Sequence, residues 1–249
     1  MLPDEPEREA PPPAPAPRRL YRHRLATRLW HWVNAVTVFI MIGSGLMIFN
    51  AHPRLYWGQY GANFDHAWLV LPRFPGWATI PSTYSLAIAR HWHLFFALIL
   101  AFALLGFMIA SLANRHFRER LTLRRAELAP AHLLADLKAH LAFRFHDSAD
   151  PLAFNIFQKL AYIGVIFVLL PLLIFTGLAL SPGMGANWPW LIDVFGGRQS
   201  ARSIHFLCMA ATVAFIVVHL ALVILADAVN EVRSMITGWW TLPDEEEAS

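Results

Sequence analysis

Four long apolar runs divide the chain. The clearest occupies residues 202–227, where no Asp, Glu, Lys or Arg lies between Arg202 and Asp227. A helix needs about 20 mainly apolar residues to cross a bilayer, and this run exceeds that length. The other runs cover residues 29–53, 84–113 and 154–180, the last with Pro171 inside it as an expected kink. Between the first two, residues 51–83 are too polar, and too broken by Pro53, Pro72, Pro75 and Pro81, to span. Trp57, Trp68 and Trp77 suit a membrane interface, which predicts an ordered loop lying on the surface, either as a docking site or as a cap on the bundle. In the third connection, Leu133, Leu134, Leu137 and Leu141 recur at helical spacing, the mark of an amphipathic helix resting on lipid. The pattern at the chain ends is different. Residues 1–21 form a proline-rich tail expected to be disordered, residues 243–249 an acidic tail, and residues 22–242 one membrane domain.

Composition agrees with this division, at 57% hydrophobic and 15% charged residues. The net charge of +3 is spread over the loops, which argues against nucleic-acid binding. Cys208 is the sole cysteine, so an internal disulfide, a CxxCH haem attachment and a cysteine-held iron–sulfur cluster are excluded within this chain. Charge placement orients the runs. Arg18, Arg19, Arg22, Arg24 and Arg28 precede the first, and the connection between the second and third carries Arg115, Arg118, Arg120, Arg124, Arg125, Lys138 and Arg144. The other connections hold few basic residues. The positive-inside rule then puts both termini in the cytoplasm. The expected fold is all-α, an integral membrane four-helix up-down bundle with a surface-lying outer loop and an amphipathic cytoplasmic loop helix.

Against this background the histidines stand out. His205 and His219 lie fourteen positions apart in the fourth run. Fourteen helical steps return to within about 40° and rise about 21 Å, so both rings share one face near opposite membrane surfaces. His31 enters from the cytoplasmic side, level with His219; His93 lies near the outer side, level with His205. Two six-coordinate haems, inner on His31 and His219 and outer on His93 and His205, account for all four. Histidines hydrogen-bonded to Ser, Thr or backbone groups of neighbouring helices are the alternative. Arg28, Arg90 and Arg202 each precede a histidine of the set in the form R-x-x-H. That spacing shares a helix face, and an arginine there can pair with a haem propionate or simply anchor at the interface. His91 competes with His93, but two residues apart the rings point about 200° from each other; the R-x-x-H form and the greater depth select His93. His52, His66, His116, His132, His140 and His146 are surface loop residues on this reading. No quinone site is legible, though His132 and His140 are candidates.

The segments RHRLATRLWHWVNA, NAHPRLYWGQYG, RHWHLFFA, QKLAYIGVIFVLLPLLIFTGLALSP and FGGRQSARSIHF resemble the bacterial di-haem cytochrome b family. That family includes the cytochrome b subunits of nickel–iron hydrogenases, formate dehydrogenases and thiosulfate reductases. The resemblance is greatest to the cytochrome b/b6-domain partners of periplasmic molybdopterin oxidoreductases. It implies two bis-histidine b haems, ligands from the first, second and fourth helices at the places of His31, His93, His205 and His219, and a seat in the bacterial inner membrane. It also implies electron exchange between the quinone pool and a periplasmic partner, a molybdopterin oxidoreductase or a c-type cytochrome. His91 stands where arginine is commoner in that family. Beyond quinone redox no chemistry of the chain's own is expected. Two rival readings are a stand-alone cytochrome b561-type quinol or superoxide oxidoreductase, which uses the same haems without a partner, and a haem-free proton-relaying transporter, which the lack of internal repeats disfavours.

Overall fold

The computed structural model describes residues 18–115, 117–118, 121–123, 127, 129–141 and 155–242. The proline-rich stretch 1–17, the acidic tail 243–249, His116, His146 and the side chain of His140 lie outside the described residues. Four helices are long and apolar enough to cross a membrane: α1 (Leu25–Phe49), α2 (Leu86–Ala113), α4 (Ile156–Leu180) and α7 (Arg198–Thr237). They form an all-α membrane bundle. The amphipathic segment is helical as α3 (Pro130–Leu141), and α5 (Pro182–Asn187) and α6 (Trp190–Val194) fill the last connection. Two small antiparallel ribbons, not expected from the apolar pattern, complete the chain. Strand β1 (Arg19–Tyr21) pairs with β4 (Trp239–Thr241), with Leu20 opposite Trp240, and β2 (Arg54–Leu55) pairs with β3 (Leu69–Val70).

The helix ends follow local chemistry. Ser85 caps α2 by accepting from Ile88 N–H. Asn155 and Gln158 form a reciprocal capping box at the start of α4. Pro171 removes one backbone donor and crowds the preceding turn, and the helix carries a π turn at Val165–Leu169 just before it. At Asp227, the charge that ends the fourth apolar run, the backbone leaves helical geometry (φ 152, ψ 86). Asp227 Oδ1 accepts from Asn230 N–H (3.2 Å) and so restarts the helix, which ends on left-handed Gly238.

The core packs Val38, Leu100, Leu104, Phe107, Ile166 and Leu170, drawn from α1, α2 and α4. Helix α1 runs along α2 and α4 along α7, whereas α7 touches α1 and α2 sparsely. The termini share one end of the bundle, clasped by the β1–β4 ribbon and by Arg22 and Glu231 in a half-buried ion pair of 2.8 Å. Residues 19–21, assigned to the disordered tail from sequence, belong to this clasp. Gly238 permits it: its carbonyl accepts from Arg22 and His23 N–H, and a Cβ there would lie 2.6 Å from the Tyr21 ring.

Candidate functional site

Helix α7 carries two of the four candidate ligands, His205 near its start and His219 near its middle. At the terminal end the rings of His31 and His219 face each other with centroids 6.3 Å apart. At the loop end His93 and His205 do the same at 6.2 Å. The structure thus brings together the rings that the sequence placed at equal depth. His91 is exposed on α2 and is not part of either pair. His52 and His66 lie in the outer loop, and His132 pairs with Asp136 in the exposed part of α3 (3.5 Å).

The loop-end histidines are oriented by groups that sequence reasoning passed over. Ser44 of α1 is fully buried; its hydroxyl donates to the Ile40 carbonyl (2.8 Å) and stands 3.0 Å from His93 Nδ1. Thr176 of α4 is likewise fully buried; its hydroxyl donates to the Leu172 carbonyl and stands 2.8 Å from His205 Nδ1. In each case the residue that follows is a glycine packed on the same ring. A Cβ on Gly45 would sit 3.3 Å from His93 Cε1, and one on Gly177 3.5 Å from His205 Cε1. A hydroxyl–glycine pair in the last turns of an apolar span was the available signal. It reads as ordinary span composition until the facing histidine is known.

The terminal-end pair has different surroundings. Trp30 Nε1, His31 Nδ1 and Asn34 Oδ1, within about one turn of α1, are buried with no hydrogen-bond partner among the described residues. Phe215 stacks on His219 at 5.7 Å.

The three predicted arginines behave unlike one another. Arg202 donates to the carbonyls of His52 and Arg54 and lies over the Phe49 ring (5.5 Å). Two of its five N–H donors are thereby engaged and three are left. Arg28 donates to the Ile236 carbonyl beside the clasp. Arg90 is exposed near the start of α2 and makes no hydrogen bond or ion pair among the described residues.

The donor set itself selects a type of metal group. Among the described residues no three His, Cys, Asp or Glu side chains gather as a metal site. A bare zinc ion wants three or four protein ligands, whereas haem iron wants only its two axial positions filled. A metal–nitrogen bond of about 2 Å and an imidazole radius of about 1.1 Å on each side put two axial rings about 6.2 Å apart. Both pairs fit that requirement. The hydroxyl contacts of His93 and His205 are of the kind the alternative of hydrogen-bonded histidines expects, and each engages Nδ1 alone.

The family model of prokaryotic cytochrome b561 matches residues 22–238. The chain belongs to that family. Membership makes it a membrane cytochrome b of electron transport, with b-type haem as its group. This cytochrome is 25% identical over 236 residues to the probable Ni/Fe-hydrogenase B-type cytochrome subunit of Cupriavidus necator, covering 90% of this chain and 88% of that one. It is 29% identical over 211 residues to the putative protein-methionine-sulfoxide reductase subunit YedZ1 of Azospira oryzae, covering 80% and 87%. With the putative cytochrome YdhU of Escherichia coli it shares 27% over 224 residues, covering 89% and 74%. No solved structure matches it significantly.

Proposed function

We propose that this cytochrome holds two b haems and passes electrons across the bacterial inner membrane between the quinone pool and a periplasmic oxidoreductase of the molybdopterin class, directly or through a c-type cytochrome. The observation that carries the reading is the sorting of four histidines into two facing pairs, each with one ring from α7. Fourteen residues of α7 separate the pairs by about 21 Å, enough to serve both membrane surfaces. Bound there, haem supplies one-electron transfer. The chain's part is to present Nε2 of His31 and His219, and of His93 and His205, to the two irons, and to keep water away with apolar helices.

The arginine excess of the terminal end favours the cytoplasm for that side, and so the periplasm for the loop end. Arg90, and the free donors of Arg202, stand one turn before a ligand of the outer pair and offer charge to its propionates; Arg28 stands in the same relation to His31. The partner docks on residues 51–83 and 181–200. A partner is favoured over the stand-alone oxidoreductase because two relatives bear the names of hydrogenase and reductase subunits. Quinone exchanges at the cytoplasmic side, and the partner supplies the substrate reaction.

Extraction of purified protein with acidified acetone tests the core of this reading. Two haems per chain should leave the polypeptide. One haem per chain, or haem that stays attached, would rule it out.

A further inference from the structure

Resting on the di-haem reading, we infer that Ser44 and Thr176 are positioning residues for the outer ligand pair, each holding the Nδ1–H of one histidine so that Nε2 faces the iron. Neither residue belongs to the histidine and arginine set that the sequence pattern marks. The two sit on different helices, α1 and α4, and α4 supplies no histidine at all.

A hydroxyl has one proton to give. Ser44 gives its proton to the Ile40 carbonyl four residues back, and Thr176 gives its own to the Leu172 carbonyl four residues back. Toward the histidines, at 3.0 and 2.8 Å, each hydroxyl can then only accept. The proton must sit on Nδ1 of His93 and of His205, and the lone pair on Nε2, the nitrogen that each ring needs for axial ligation. Gly45 and Gly177 flank the same rings: a Cβ on Gly45 would crowd His93 at 3.3 Å, and one on Gly177 would just touch His205 at 3.5 Å. The same two-residue device thus grips both sides of one metal position.

The inner pair lacks it. His31 Nδ1 is buried with no hydrogen-bond partner among the described residues. The device therefore acts on one haem and not the other. An acceptor on Nδ1–H makes the imidazole a stronger donor and favours ferric iron, which lowers that haem's reduction potential. A plain structural serine or threonine, bonded only to its own helix, has no such selective effect.

Potentiometric titration of membranes carrying Ser44→Ala, Thr176→Val and Thr176→Ser tests this, read against His205→Ala and His219→Ala to assign the two midpoints. Thr176→Val keeps the volume and removes the hydroxyl; Thr176→Ser keeps the hydroxyl. Ser44→Ala and Thr176→Val should move upward only the midpoint that His205→Ala abolishes, and should alter the low-spin ferric signal of that haem alone. Thr176→Ser should keep the wild-type midpoint. Retention of the outer haem weakened about tenfold or more in the hydroxyl-less variants, and preserved in Thr176→Ser, supports the same conclusion. Two wild-type midpoints that stay unmoved in variants retaining both haems would overturn the inference alone. So would a Thr176→Ser effect as large as that of Thr176→Val, or a shift confined to the inner haem. Fewer than two midpoints in wild type would sink the di-haem reading and this inference with it.

Discussion

The Gly58 carbonyl accepts hydrogen bonds from Ser200 N–H (3.1 Å) and from its neighbour Gln199 (3.0 Å), while Gly58 N–H donates to the Ser200 hydroxyl (2.7 Å). Gln59 Oε1 takes the N–H of Arg198 (2.9 Å). Three of the free donors that begin any helix are thus capped by a loop far away in sequence. One turn on, Ser203 binds Trp68 and Tyr56, and Arg202 binds the carbonyls of His52 and Arg54. The loop and the helix that carries His205 and His219 are one mechanical unit. A partner seated on the loop would press directly on the frame that holds His205.

Gly197 makes that junction possible, and Gly197→Ala should break it. Its φ of +112 suits glycine, and a Cβ there would lie 2.6 Å from the Gly58 carbonyl carbon and oxygen, which as backbone cannot step aside. The expected loss is on the order of 3 kcal/mol. Thermal melting of detergent-purified protein, followed in the Soret band, should show a lower midpoint than wild type. An unchanged midpoint would mean the loop is not part of the cooperative unit.

At the other end, Arg22 and Glu231 should prove strongly coupled. Their ion pair is 2.8 Å long with side chains only 12% and 16% exposed, and the guanidinium also covers Trp240 at 5.2 Å. Removing either partner takes the nearest opposite charge from a largely buried group, at a cost of about 3 kcal/mol. In a double-mutant cycle, Arg22→Ala and Glu231→Ala together should cost less than the sum of the single changes, by about 1–3 kcal/mol. Additive effects would show that the clasp rests on the ribbon alone.

The spans and their number were legible because each rests on a local pattern. Lipid demands a long uncharged run, and Asp227 ends the fourth run at the residue where the helix breaks. That the rings of His31 and His219, and of His93 and His205, come together was legible through depth, which periodicity and charge asymmetry together supply. The clasp was not, since Arg19–Tyr21 and Trp239–Thr241 are three-residue strands whose pairing depends on a contact across more than two hundred residues. Ser44 and Thr176 were hidden for a similar reason. A buried hydroxyl in an apolar helix can satisfy itself on its own backbone, and nothing along the chain reveals that a histidine lies opposite. The arginines were only half legible: R-x-x-H marks a shared face, but the carbonyls that Arg202 and Arg28 bind come from distant elements.

His52, in the outer loop, should titrate below its ordinary value of 6.5. Partial burial comes first among the causes, followed by the nearby charges of Arg202 and Arg54. A lowered folded value means that the unfolded chain binds the proton more readily. The contact of His52 Nε2 with the Tyr56 hydroxyl (3.2 Å) is then fully effective above pH 6.5 and is lost as pH falls through the lowered value. Magnetic resonance of the labelled imidazole should follow this directly, and Arg54→Gln should move the titration back toward 6.5. A titration at or above 6.5 in the wild type would contradict the assigned neighbours.

The ligand assignment makes the most demanding prediction. His205→Ala should abolish one redox midpoint and His219→Ala the other, because α7 gives one ring to each facing pair. His93→Ala should reproduce the pattern of His205→Ala, and His31→Ala that of His219→Ala, since each couple is proposed to hold one iron. His91→Ala is the control. Its ring is exposed and points about 200° away from that of His93, so both midpoints should survive. Loss of a group from between the helices removes packing as well as redox activity, so every ligand variant should also melt earlier than wild type while His91→Ala should not. If His91→Ala loses a midpoint and His93→Ala keeps both, α2 would have to be turned by about half a revolution. Ser44 would then face no ligand, and the hydroxyl seat described for the outer pair would fall with it.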